Sequence, residues 1–410
     1  MKAPTMAVLD ALKPMSEGPP PSARERLASR IDQWMTSPAL NRWASRSVLT
    51  RWLVRRRSAQ LFDLMAGFVH SQVLLACVRL KLFEHVLDAP RTADELATLC
   101  RLPTAQLARL LDSAVALHLL EPRGANRYGL GPMGAPVVAH AGIRDMIEHN
   151  AVLYEDMRDP LALLRDPNAA RMHAYWPYTE DPAGNPQAPA PSDQFARYSS
   201  LMSTSQRFVI EELLASYAFN EHRMVLDVGG GMGGWVSALA QRHTHLQLQL
   251  FDLPPVAALA AENVQRQGLS DRISTFGGSF TKDTLPRGAD LVTLVRVAHD
   301  HPDGDVRVVL RAIFDALPLG GTLLLAEPMA QAGGAPEPSD PYFHFYLMAM
   351  GSGRLRTPAE LTALMAEAGF THIERVPNAI PLHAQLLLGR KSRIDRRGLP
   401  ASSKNSVTLT

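Results

Sequence analysis

The sequence predicts an α/β protein: a Rossmann-like, doubly wound sheet closed by an antiparallel hairpin, preceded by an all-α region that ends in a wing. Three observations predict it. Short β-rich runs alternate with helical stretches after Met224, a glycine-rich turn follows the first of these runs, and the preceding residues show helical periodicity up to one small hairpin pattern.

At 410 residues the chain exceeds a single core, so two domains or one domain with a large extension are expected. Its 46% apolar and 20% charged residues are ordinary for a globular protein. No apolar run reaches the roughly 20 residues needed to span a bilayer, and the opening MKAPTMAVLDALKPM carries Asp10 inside its only hydrophobic stretch. The expectation is a chain that crosses no membrane, lacks a secretory signal and stays in the cytoplasm. Cys77 and Cys100 are the only cysteines, and both read as helix core residues in a reducing compartment. The net charge of +2 is unevenly spread. Arg24 to Arg57 contains nine Arg against Glu25 and Asp32, a balance of +7, and Arg390 onward holds six basic residues against Asp395. The middle of the chain is acidic.

Residues 1–22, ending in GPPPS, are expected to be disordered. Residues 23–57 form a basic helical arm in which Trp34, Trp43 and Trp52 fall among the arginines. Helical spacing stacks Leu40, Ala44, Val48 and Trp52 on one side, interrupted by Arg51 and Arg55. Trp and Arg together suit an anionic membrane interface, and packing into a dimer partner suits the same residues. Residues 58–140 begin with apolar positions at helical spacing (Leu61, Met65, Phe68, Val69, Val73, Leu74). A capping box, Thr92 with Glu95, opens the next helix, a third runs from Thr104 to Leu119, and EPRGANRYGLGP supplies a hairpin. That order is a winged helix. Its candidate recognition helix carries only Arg109 as a cation, against Asp112, too little for phosphate and base contacts. The unit is therefore read as a dimerisation domain and no nucleic-acid partner is expected. Residues 141–222 are a helical linker covering the substrate, residues 223–390 the cofactor-binding catalytic domain, and residues 391–410 a disordered basic tail.

The turn VLDVGGGMGGW sits between a strand and a helix, where positive φ and close backbone approach to a ligand call for glycine. Gly229, Gly231 and Gly234 match a dinucleotide fingerprint, while Asp227, Gly229, Gly231 and Gly233 match the S-adenosylmethionine pattern DxGxGxG. The carboxylate of Asp227 favours a cationic cofactor. Asp252, followed by Leu253, ends the second strand and is placed to accept from ribose hydroxyls. The loop RVAHDHPD puts Arg296 and His299 at the carboxyl edge of the sheet, where substrate meets cofactor in such folds. Transfer of a methyl group to oxygen is an in-line displacement that needs the hydroxyl aligned and its proton taken. His299 is the expected base, with Glu327 orienting its ring and Asp300 available to cap the following helix. The cluster His299, Asp300, His301 and Asp303 lacks the spacing and distant ligand of a zinc site, so no metal is expected. Tyr342, Phe345, Tyr346 and Met350, with Met202, are expected to line an apolar substrate site; Tyr175, Trp176 and Tyr178 form a second aromatic group.

DVGGGMGG, LFDLP, GGSF, RVAHDHPD, LLLAEP and GRLRT occur in this order over roughly residues 58 to 390, and the chain thereby resembles the plant-type class I O-methyltransferases. Through LFDLMAGFVHSQVLLACVRL, YSSLMSTSQ and YFHFYLMAMGSGR it resembles in particular the bacterial carotenoid O-methyltransferases acting on hydroxyneurosporene or demethylspheroidene. The resemblance implies methylation of a C-1 hydroxyl on an acyclic carotenoid, a homodimer, and a place beside the photosynthetic membrane. It further implies His299 as base and Gly229, Asp252, Ser279 and Phe280 around the cofactor. Two departures stand out. Gly278 and Ser279 replace the acidic residue of GDxF, and Leu355 falls where relatives carry a second glutamate, which reduces the expected dyad to His299 and Glu327. A phenolic or polyketide acceptor, and a non-catalytic cofactor-binding regulator, are the alternative readings.

Overall fold

The computed structural model describes residues 22–124, 126–175, 209–331, 337, 339–378 and 384–392. Met202, Trp176, Tyr178 and the string YSSLMSTSQ lie outside them, as do the terminal segments 1–21 and 393–410. The chain divides into two compact units, residues 1–76 and 77–410.

The first unit is helical. α1 (Ala23–Met35) starts at a capping box in which Ser22 and Glu25 satisfy each other's backbone N–H. After α2 (Pro38–Arg46) the backbone turns extended at Ser47, and the Thr50 hydroxyl donates to the Ala44 carbonyl at 2.7 Å. The expected Leu40–Ala44–Val48–Trp52 stripe is therefore broken: Val48 belongs to this turn and Trp52 to the next helix. α3 (Arg51–Arg79) runs unbroken through the boundary expected at residues 57/58, because its only helix-weakening residue is Gly67. Contrary to the sequence expectation, α3 is long and apolar enough to cross a membrane by length and composition. Leu61, Phe62, Leu64, Met65, Phe68 and Val69 are exposed along it.

The second unit opens with the winged helix. α4 (Leu82–His85), α5 (Ala93–Cys100) and α6 (Thr104–Ala116) precede β2 (Leu120–Pro122) and β3 (Arg127–Leu130), and a short β1 (Arg91–Thr92) gives the sheet order β1-β3-β2. The Thr92–Glu95 capping box is formed. α7 (Ala135–Ala139), α8 (Ala141–Met157), α9 (Pro160–Arg165) and α10 (Arg171–Tyr175) follow.

The catalytic sheet contains β4 (Met224–Val228), β5 (Gln247–Asp252), β6 (Ile273–Gly277), β7 (Leu291–Val295), β8 (Thr322–Glu327), β9 (Thr371–Val376) and β10 (Gln385–Arg390), in the order β6-β5-β4-β7-β8-β10-β9. The first five pair parallel, and β10 pairs antiparallel with both β8 and β9, as expected. Strand alternation divides the core between two faces. Leu226, Leu323 and Leu325 pack with α13 (Asp303–Ala316) and α15 (Pro358–Ala368), while Val225, Leu324 and Ala326 pack with α11 (Gly234–Arg242) and α12 (Pro254–Arg266). This parity sets the site. Asp227 follows Val225 onto the α11 side, whereas Glu327 follows Leu323 and Leu325 onto the α13 side. Lys391, read as the start of the tail, instead donates from Nζ to the carbonyls of Phe314 at 2.6 Å and Leu317 at 2.7 Å.

Candidate active site

The glycine turn leaves β4 with three positive φ angles, +73° at Gly229, +55° at Gly231 and +79° at Gly233, and the last of these caps α11. A Cβ on Gly229 would stand 2.5 Å from Val297 Cγ2, whereas one on Gly231 would project into open space. The first glycine is thus required by packing beneath the turn, and the second by backbone shape at its open side. Asp252 Oδ2 accepts the Gly231 N–H at 2.8 Å and Oδ1 accepts the Leu253 N–H at 2.7 Å, locking its carboxylate at the tip of β5. Asp227 lies under the turn and is almost fully buried, with Oδ1 accepting from Thr293 Oγ1 at 2.7 Å; Thr293 in turn accepts the Trp235 indole N–H at 3.2 Å. Burial pushes Asp227 up to about 7 and Asp252 up to about 6. Among the described residues no cation offsets the rise at either, and the charge of Asp252 adds to it at Asp227.

Two carboxylates that resist ionisation around an open glycine turn fit a cofactor carrying positive charge. The sign is checkable. Because both pKa values exceed the ordinary 3.8, deprotonation disfavours the folded chain, so thermal stability without cofactor should fall as pH rises through 4 to 7. Cofactor affinity should run the other way, tightening as the two groups ionise between about pH 5.5 and 8. Calorimetric titration of S-adenosylmethionine across that range tests this, and a pH-independent Kd would exclude it. Asp252→Asn should both weaken binding and flatten the profile.

The expected base, His299, lies just beyond the end of β7. Arg296 takes a left-handed φ of +55°, rare for a side chain with a Cβ, and donates its N–H to the Ala326 carbonyl at 2.8 Å. That kink turns Val297–Asp300 back over the tip of β8. There the Glu327 carboxylate collects the N–H groups of Val297 at 2.8 Å, Ala298 at 2.6 Å and His299 at 3.3 Å, and His299 Nδ1 at 2.6 Å. A carboxylate accepts only, so Nδ1 carries the proton and Nε2 presents its lone pair. Asp300 Oδ1 lies 3.1 Å from Nε2, though without hydrogen-bonding alignment, and has no other partner. Asp300 does not cap the following helix, which begins after Pro302. It is buried against the base instead. Burial pushes it up to about 6, opposed by the charges of His299 and Arg296. Among the described residues no group of three His, Cys, Asp or Glu side chains is arranged to hold a metal ion.

The segment after α14 (Asp340–Met350) clamps this loop. The fully buried Arg356 donates to the carbonyls of Ala298 at 2.6 Å and His301 at 2.8 Å and to Asp303 Oδ1 at 2.7 Å. Ser352 Oγ donates to the Asp300 carbonyl at 2.7 Å and the Arg354 N–H to the His299 carbonyl at 2.9 Å. Gly353, at φ +76°, leaves no room for a Cβ, which would overlap the His299 carbonyl oxygen. Hydrogen bonds from Arg354 and Arg356 hold Asp303 down at about 2. Leu355 is buried among apolar residues of the α14 cluster, so its side chain supplies nothing polar to the base.

α14 itself packs Tyr346, Leu347, Ala349 and Met350 against Leu153 of α8, Leu163 of α9 and Met172 of α10, with Tyr342 and Phe345 partly buried beside them. The polar ends of its tyrosines are satisfied from α8. Tyr342 OH donates to Asn150 Oδ1 at 2.9 Å and Tyr346 OH pairs with His149 Nε2 at 3.0 Å; burial pushes His149 down to about 4, so the ring is neutral. The charge of Arg296 acts on Tyr342, Tyr346 and Asp300 alike, which places this expected cofactor residue on the acceptor side.

Ser279 and Phe280 occupy the loop after β6. The Ser279 N–H donates to Asp283 Oδ2 at 2.8 Å, and a Cβ on Gly278 would lie 3.2 Å from that same oxygen. A carboxylate from four residues downstream of Ser279 thus stands beside the GDxF position. Phe280 stands edge-on to His301 at 5.1 Å between ring centroids. Sequence reading missed Asp283, the place of Asp300, and the clamp of Gly353 and Arg356. The second arginine of GRLR was the only local signal for the last.

An O-methyltransferase domain model matches residues 187–371 and an O-methyltransferase dimerisation domain model matches residues 62–139. The chain is 38% identical to a demethylspheroidene O-methyltransferase of Cereibacter sphaeroides, over 82% of this chain and 88% of that protein. It is 37% identical to the enzyme of the same name from Rhodobacter capsulatus, over 83% and 84%. Among solved structures, the apo S-adenosylmethionine-dependent methyltransferase SibL superposes with a TM-score of 0.70 at 25% identity, over 82% of this chain and 99% of that one. With this fold, this turn and this buried histidine–carboxylate pair, the chain belongs to the O-methyltransferase family, with S-adenosylmethionine as its cofactor and a dimerisation domain ahead of its catalytic one.

Proposed function

We propose that this enzyme methylates the C-1 hydroxyl of an acyclic hydroxycarotenoid of the hydroxyneurosporene or demethylspheroidene type. The observation that carries the reading is the aromatic wall of α14: its two tyrosine hydroxyls are bonded to Asn150 and His149, so what its partly buried Tyr342, Phe345 and Met348 leave to an acceptor is apolar. A hydrocarbon chain matches such a surface, whereas a polyhydroxylated acceptor would leave its own polar groups unpaired. The two relatives at 37–38% identity, both demethylspheroidene O-methyltransferases, support the same acceptor.

Bound S-adenosylmethionine supplies an electrophilic methyl group on a sulfonium. The protein does the rest by placement. His299 Nε2 accepts the acceptor's hydroxyl proton as the C–O bond forms, because an alcohol is far too weak an acid to ionise beforehand. Glu327 holds the ring in the required tautomer and stabilises the imidazolium that results. Asp300, on the Nε2 side, adds a second negative charge once ionised. We read the pair of flanking carboxylates as a variant of the plant-type class I arrangement, with Asp300 standing in for the glutamate that Leu355 replaces. At the cofactor end, Asp283 takes the role of the missing GDxF acid as acceptor for the adenine amine.

Because Asp300 is pushed up to about 6, lowering the pH through 6 neutralises it and removes that stabilisation. The expected kcat profile therefore falls on its acid side around pH 6, and Asp300→Asn should lower kcat at pH 8 while removing that step. An Asp300→Asn profile superimposable on wild type would discard the role. For the acceptor itself, transfer of labelled methyl to 1-hydroxycarotenoids and to simple phenols should be compared directly. Carotenoid turnover at least about tenfold faster supports the proposal, and turnover of phenols alone overturns it.

A further inference from the structure

We propose that α1 and α2 form an interfacial arm that lies on an anionic lipid surface. In α1, Leu27, Ile31 and Trp34 follow one another at i, i+4 and i+7 with Met35 alongside, and their relative exposures are 60%, 46%, 63% and 45%. At about 100° per residue these four fall within roughly a third of the helix circumference. Arg30 flanks one edge of the stripe and Arg24 lies within the other, while both acids of the segment, Glu25 and Asp32, project to the opposite face. Glu25 is moreover engaged in the capping box with Ser22. Trp43 in α2 and Trp52 at the start of α3 are each 61% exposed. An exposed apolar stripe that includes a tryptophan, with arginine at its margins and acids turned away from it, is the chemistry of a helix lying in the headgroup region.

The same arm of a second copy is the rival occupant, and charge argues against it. Nine arginines against two acids between Arg24 and Arg57 would bring like charge to like in a two-fold contact of arm with arm. The dimerisation match also begins only at residue 62, where α3 carries its own exposed apolar residues. The arm lies ahead of that module. An anionic bilayer supplies the complementary charge, and the arm would hold the enzyme where a lipid-soluble acceptor is concentrated; the arm's lipid binding itself stands apart from the identity of the acceptor.

The test uses the full chain and co-sedimentation with vesicles of phosphatidylcholine alone or with about 30% phosphatidylglycerol. Binding to the anionic vesicles should exceed that to the neutral ones by about tenfold or more and should weaken as salt rises from about 50 to 500 mM. A charge variant, with Arg24, Arg26, Arg30, Arg42 and Arg46 all changed to Gln, and a stripe variant, Leu27→Glu with Trp34→Glu, should each lose about tenfold. Melting temperature and methyl transfer to a detergent-dispersed acceptor should remain as in wild type. Equal binding to both vesicle types, or variants that bind like wild type, overturns the proposal. So does a stripe variant that turns a dimer into a monomer by light scattering, since the face would then belong to a second copy.

Discussion

Replacing His299 with glutamine is expected to lower kcat by about 10²–10⁴-fold, the range ordinarily contributed by a positioned general base. Glutamine preserves bulk and a donor toward Glu327, so the buried carboxylate keeps a partner and the loop keeps its course. The cofactor site is built from other elements, Gly229–Gly233 and the tip of β5, and its Kd should change by less than about threefold. Single-turnover methyl transfer together with calorimetric cofactor binding separates the two effects. Wild-type turnover in this variant would refute the base assignment. Turnover and cofactor binding lost together would instead mean that His299 holds the site in shape. The effect should appear in kcat with little change in KM, because the proton moves only as the new bond forms.

The second large effect is expected at a residue that touches neither substrate nor cofactor in this arrangement. Arg356→Met removes the donor to the carbonyls of Ala298 and His301 and to Asp303. The buried Ala298 carbonyl is left with only the His301 N–H at 3.4 Å and the half-buried His301 carbonyl loses a donor, whereas Asp303 keeps Arg354 at 3.0 Å and some solvent exposure. The loss is therefore smaller than for an orphaned buried charge, about 2–4 kcal/mol, which for a unit of this size corresponds to a melting temperature lower by roughly 3–6 °C. Activity should fall further than stability explains, since the residues released carry the base. Thermal unfolding and kcat measured well below the transition distinguish these. A variant that melts lower yet turns over normally would show that Glu327 alone suffices to hold His299. Arg356→Lys, which keeps the charge but not the planar fork, should restore stability only in part.

The two residues mark the limits of sequence reading. The strands were legible because each is a short local pattern, and the glycine turn because positive φ selects glycine at fixed spacing. His299 was legible because it follows a strand at the sheet's carboxyl edge. Arg356 was not, since its partners lie more than fifty residues upstream and nothing local distinguishes a buried clamp from an exposed arginine. The cap that Asp300 was available to make is absent for a related reason: capping depends on where the helix starts, and here the N-cap is Pro302. The break between α2 and α3 escaped notice because Ser47–Thr50 contains neither glycine nor proline. Asp283 lies in a loop, where sequence separation says little about which side chain returns to a given point.

The clamp and the acceptor wall are consecutive in the chain. α14 ends at Met350, Gly351 takes a left-handed φ of +78°, and the following five residues grip the loop of His299. No flexible spacer separates them. If α14 faces the acceptor as proposed, selectivity and speed are mechanically geared: repacking Tyr346 or Met350 for a different acceptor acts on the helix whose end is joined to the clamp on the His299 loop.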